Sequence, residues 1–207
     1  MAALPVTIAL KKIRCLIETD EVGSDEPYVL VTAVDLSNPV LPNAEVTMYG
    51  PWGDVDKGDT CTTHPLQPGI NPSDMPFIIW RRNAWGPSGT PKAIPDPSKA
   101  VILISMMEHD DGKPGTSREL VKGAVVSSLA ASAGMTRDQR VSKLKADIHG
   151  ALGIPTGFPN FDDRVGSTHE FPLSANLLNV AAGPKSKTLT IVGDGGKYEV
   201  TLVVTKG

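Results

Sequence analysis

The chain has few aromatic residues, two cysteines, little net charge and no long apolar run, and each shortage excludes a class of protein. Phe, Trp and Tyr make up 5% of 207 residues, too few for the aromatic platform of a sugar-binding enzyme. Cys15 and Cys61 cannot build a disulfide framework. With His64, His109, His149 and His169 scattered, no Cys-x-x-Cys or His-x-x-x-His spacing offers a zinc site. Twenty basic against 23 acidic residues leave a net charge of −3, so neither a nucleic-acid surface nor a polyanionic tail is expected. The apolar run 101–107 falls far short of the roughly 20 residues a membrane-spanning helix needs. Residues 1–10 are apolar and precede Lys11-Lys12, the reverse of a secretory signal. These features predict no transmembrane segment or signal peptide, and a cytoplasmic or non-classically exported protein whose compartment stays open. No Gly-x-Ser-x-Gly elbow or Cys-His pairing is present, which predicts a protein that is not an enzyme.

Glycine and proline are abundant, at 20 and 18 residues, and predict short elements joined by many turns. Val6, Ile8 and Leu10 alternate, and Ile13, Cys15 and Ile17 resume the period beyond Lys11-Lys12, as in a long strand with a bulge. Further strands are expected at 28–36, 44–49, 77–80, 100–107, 168–173, 188–192 and 198–205. The near-continuous apolar run at 100–107 suits a strand buried on both faces. Gly193-Asp194-Gly195-Gly196 lies between the last two strands and reads as a hairpin turn, not a phosphate loop. Residues 50–75 and 85–98 are proline-rich loops.

One region changes period. Leu120, Val121, Ala124, Val125 and Leu129, then Val141, Leu144, Ile148 and Leu152, fall at helical spacing. A helical hairpin at about 116–152 follows, with Thr116 or Ser117 capping the first helix, Gly134 ending it, and Thr136 with Gln139 as a capping box for the second. Its apolar stripe, Leu120 included, is expected to pack on itself and the neighbouring sheet.

Carboxylates gather where three of the strands end: Asp20-Glu21 with Asp25, Glu108 with Asp110-Asp111, and Asp162-Asp163. Like charges brought together at one edge of a sandwich would repel unless a cation held them, and an all-oxygen donor set on flexible loops suits Ca²⁺ better than Mg²⁺. Surface turns also carry such residues with no ion at all. A fourth stretch, Asp54-Val55-Asp56-Lys57-Gly58-Asp59, alternates in the manner of a small calcium loop without EF-hand spacing, and reads as a solvated turn.

The run Asp20-Glu21-Val22-Gly23-Ser24-Asp25-Glu26-Pro27-Tyr28-Val29 resembles the first calcium loop of C2 domains, D-x-x-G-x-S-D-P-Y-V, with a residue lost before the serine and a glutamate gained before the proline. Met107-Glu108-His109-Asp110-Asp111 resembles the start of the C2 third loop, and Asp162-Asp163-Arg164-Val165-Gly166 its end, with the two helices inserted between them. The resemblance implies a mainly β fold, an eight-stranded antiparallel C2-like sandwich forming one domain over residues 1–207. It also implies a Ca²⁺ site drawn from Asp20, Asp25, Glu108, Asp110, and Asp163 or Asp162. Glu108 departs from an expected aspartate. Two functions follow as expectations: a calcium-dependent module engaging an anionic membrane surface or a protein, with Met135 and residues 153–158 as apolar contacts, or a structural, self-associating protein whose fold calcium stabilises.

Overall fold

The computed structural model describes residues 3–20, 23–38, 42–66, 71, 73, 75, 78–110, 113–154 and 162–207. Glu21, Asp111, Phe77 and residues 155–158 lie outside them. In chain order the elements are β1 (Pro5–Ile17), β2 (Pro27–Asp35), β3 (Asn43–Tyr49), β4 (Thr60–Thr62), β5 (His64–Pro65), β6 (Trp80–Arg81), β7 (Lys92–Ala93), β8 (Ala100–Glu108), α1 (Pro114–Ala131), α2 (Arg137–Leu152), β9 (Asp163–Arg164), β10 (His169–Glu170), α3 (Ala175–Leu178), β11 (Lys185–Gly193) and β12 (Gly196–Lys206).

Two antiparallel sheets form a sandwich. The first runs β11-β12-β1-β4 with β7 also on β1; the second runs β10-β8-β2-β3 with β9 also on β8. The bulge anticipated in the first strand is present, as a register shift against β12 between Leu10 and Lys12. Alternation then sorts the side chains. Val29, Val31 and Ala33 of β2, with Ile102, Ile104 and Met106 of β8, face Ile8, Leu10, Ile13, Val200, Leu202 and Val204 of the first sheet. The intervening Tyr28, Leu30, Val34, Val101, Leu103 and Met107 point the other way, onto Val121, Val125, Leu129, Val141, Leu144 and Ile148 of the two helices. Every residue of β2 and β8 is therefore buried.

Several expectations are corrected. The strand expected at 168–173 shrinks to His169–Glu170, while of the one expected at 77–80, whose Phe77 lies outside the described residues, Trp80 is in β6, which pairs with β5 outside the sandwich. The short pairings β4, β5, β7 and β9 and the single-turn α3 carry too few residues for a readable period. Helix α1 starts at Pro114, whose ring presets the first turn, with Lys113 rather than Thr116 or Ser117 at the cap and no side-chain bond there. It ends at Ala131 with Ser132 at the cap, and Gly134 lies beyond at φ +83°. Leu120 is half-buried, and the helix buries Ser117, Val121, Val125, Ser128 and Leu129 instead. The capping box of α2 is present: Gln139 N donates to Thr136 Oγ1 at 3.4 Å while Thr136 N donates to Gln139 Oε1 at 3.0 Å.

Candidate functional site

Strand pairing gathers the acidic loops at one end of the sandwich. Pro27 lies opposite Glu108, and Glu108 opposite Asp163. Asp25 bridges to Val55 in the loop after β3, and Ile17 pairs with Lys197 beside the β11–β12 turn. In that turn Asp194 and Gly195 both have positive φ, 52° and 68°, as a tight two-residue hairpin requires. A Cβ on Gly195 would lie 3.0 Å from the Asp20 backbone nitrogen, and one on Gly166 would lie 2.4 Å from the Val192 carbonyl oxygen. Both glycines thus let the Asp20 and Asp163 segments close on the Asp194 turn.

The carboxylates at this end divide into two kinds. Those facing inward are already engaged by protein donors. Asp25 is 2% exposed; it accepts from Thr19 N at 3.1 Å, from Thr19 Oγ1 at 2.7 Å and from the Tyr198 hydroxyl. The Asp162 side chain is fully buried, accepting from the Tyr28 hydroxyl at 2.7 Å and lying 3.0 Å from His109 Nδ1. Glu108 is buried and accepts from Glu26 N at 2.9 Å. Burial pushes both tyrosine hydroxyls well above their ordinary range. The adjacent carboxylates push the same way, and for Tyr28 the neighbouring Ser117 hydroxyl offsets part of the rise. Both tyrosines therefore remain protonated donors.

Asp20 and Asp163 face outward and are exposed, and among the described residues their carboxylates accept no hydrogen bond; Asp110 is half-buried. Burial raises the Asp194 carboxyl above its ordinary 3.8, and the charges of Asp163, Asp20 and Asp25 raise it further. Burial is the larger cause, and the like charges around Asp194 add to it. Asp194, which the sequence presented only as a turn residue, joins the cluster because its hairpin abuts the end of β1.

The six expected calcium ligands therefore share one end of the fold but do not converge as a cage. Asp25 turns toward Tyr198 in the core between the sheets, and Asp162 toward Tyr28 in the layer under the helices. Among the described residues no group of three or more His, Cys, Asp or Glu side chains stands in metal-ligating position. Asp25, Asp162 and Glu108 fit poorly as ligands, because binding an ion would compete with bonds that hold the loops. Asp20, Asp163 and Asp194 offer the exposed hard oxygens that a calcium ion takes.

The hairpin tip is corrected as an apolar contact at this end. Arg137 donates to the Ser98 carbonyl at 3.0 Å, just before β8 begins, so Met135 sits at the far end of the sandwich. Exposed apolar residues at the acidic end are Ile17, Val192 and Ile154; the first two flank Lys197 across the sheet. The basic residues of α2 are largely engaged. Arg140 is buried and donates to the Ser132 carbonyl at 3.0 Å, Lys143 pairs with Asp147 at 2.9 Å, and Arg137 with Glu170 at 2.5 Å. No described helix is long and apolar enough to cross a membrane.

No family model matches the chain, and neither does any curated protein sequence. Among solved structures, the C2A domain of plant extended synaptotagmin 1 is similar to it over 100% of this chain and 98% of that one, at 10% identity and a TM-score of 0.38. The sandwich described above stands on the chain's own strand pairing, which is the two-sheet β architecture the C2 resemblance implies.

Proposed function

We propose that the chain is a C2-like binding module, not an enzyme, whose acidic end takes up Ca²⁺ and then engages an anionic membrane surface or a protein partner. The observation that carries this reading is the close packing of the Asp20 and Asp163 segments on the β11–β12 turn that bears Asp194, through Gly195 and Gly166. Without a cation these charges repel both one another and any anionic surface. With Ca²⁺ the repulsion is removed from an end that also presents Ile17 and Val192, 48% and 61% exposed, flanking Lys197. In this reading Asp25, Asp162 and Glu108 hold the loops in place.

Co-sedimentation with phosphatidylserine vesicles tests the reading. Recovery of the protein with vesicles in calcium but not in chelator supports it. Calcium-dependent self-assembly without lipid would instead support the second reading, a structural protein stabilised by calcium. The supply of protein donors to Asp25 and Asp162 weighs against that alternative, because it leaves the fold little need of an ion at those positions.

A further inference from the structure

Beside the acidic end, the loop after β3 walls a cleft of about 480 Å³ whose lining includes Trp52, Asp54, Val55, Asp59, Cys61 and Ile79. None of Asp20, Asp163 and Asp194 lines it. Its apolar wall is fixed. Trp52, Cys61 and Ile79 are half-buried and pack against the core between the sheets, and Val55 belongs to that core. Trp52 is further anchored by its backbone N–H, which donates to the Pro27 carbonyl at 3.0 Å. The other wall is anionic and open. Asp54 is exposed and has neither a hydrogen bond nor an ion pair among the described residues. Asp59 is exposed, and among the described residues its carboxylate accepts only from Asp56 N, through one oxygen, at 3.1 Å. Burial pushes the Cys61 thiol up to about 11, with Asp59 adding to the rise, so the thiol faces the cleft neutral and the two carboxylates set its charge.

An indole held in place beside two available carboxylates, over an apolar floor, is complementary to a cation that is flat and weakly hydrated. We propose that this cleft is a docking site for an arginine side chain of a basic partner peptide, with the guanidinium stacked on Trp52 and paired with Asp54 and Asp59. Lysine fits less well, because its strongly hydrated ammonium cannot stack or bind a carboxylate through two parallel bonds. The site is independent of calcium.

The test measures binding of fluorescent nona-arginine and nona-lysine peptides to the full chain in chelator at about 0.15 M salt, where long-range attraction between exposed charges is largely screened. Chelator separates the outcome from that of the calcium reading. The expected result is nona-arginine binding at least about fivefold tighter than nona-lysine, with that preference lost in Trp52→Leu and nona-arginine weakened about fivefold in Asp54→Asn. Asp138→Asn, at an exposed acid on α2, should change nothing. The Asp54 variant keeps the test decisive should Trp52→Leu fail to fold, since Asp54 supports no bond in the structure. Equal affinity for the two peptides, no binding of either, or equal losses in the Asp54 and Asp138 variants would overturn the proposal.

Discussion

The two sheets of the sandwich share a core yet differ on their outer faces. Strand β11 shows mostly exposed positions, with Ile191 its single fully buried residue, whereas every position of β2 and β8 is buried. Helices α1 and α2 cover the central strands of the second sheet, whereas the edge strand β11 of the first is largely open to solvent. What reads as an unbroken apolar run at 100–107 is thus two alternating sets of side chains serving two apolar layers. The comparison also extends to the acidic end, where inward carboxylates are built into those layers and outward ones face water.

The largest expected effect lies in the covered layer. Leu144 is fully buried between the helices and the second sheet, so Leu144→Ala should cost about 2–5 kcal/mol. Val192→Ala, on the open edge strand at 61% exposure, should stay within about 0.5 kcal/mol. Urea titrations of both variants measure the contrast, and similar losses would break it.

Next come the inward carboxylates. Asp25→Ala leaves the Tyr198 hydroxyl and the Thr19 donors buried without their acceptor, and should cost about 1–3 kcal/mol with or without calcium. Asp162→Ala should behave likewise through Tyr28. Outward carboxylates should give the opposite sign. Asp163→Asn removes a repelling charge, so it should raise stability in chelator by less than about 1 kcal/mol while weakening the response to calcium.

The smallest effect is a pH dependence. The folded-state pKa of Asp194 lies above its ordinary value, so the folded state holds that proton more tightly than the unfolded chain. Its contribution is present at pH below 3.8 and is lost as pH rises through the folded pKa. Asp194→Asn should flatten this fall in stability, seen by comparing wild-type and variant melts across the acid range.

Much of this architecture is legible in the residues. The Val6–Ile8–Leu10 alternation, its interruption at Lys11-Lys12 and the change of period after Ser117 each mark a physical event: a strand, a bulge, a helix. The Thr136–Gln139 box is equally local, since it needs only its own turn. What escapes the sequence depends on distant partners. Leu120 and Val121 both suit a helical stripe, and only the position of the sheet selects Val121. That Asp25 and Asp162 would turn inward rests on Tyr198 and Tyr28, 173 and 134 residues away in the chain. Asp194 enters the acidic cluster only because its hairpin folds against Asp20. The acidic loops could be assigned to one end from strand order, but not sorted into scaffold and surface.

A thermal melt of the wild-type protein in chelator, calcium and magnesium tests the proposed function most directly. Calcium at about a hundred times its dissociation constant should raise stability by roughly 2.7 kcal/mol for one site present only in the folded state. Magnesium should do much less, because it sheds its water reluctantly. Superimposable melts in chelator and millimolar calcium would contradict a calcium-binding end and leave Asp20, Asp163 and Asp194 as an acidic surface alone.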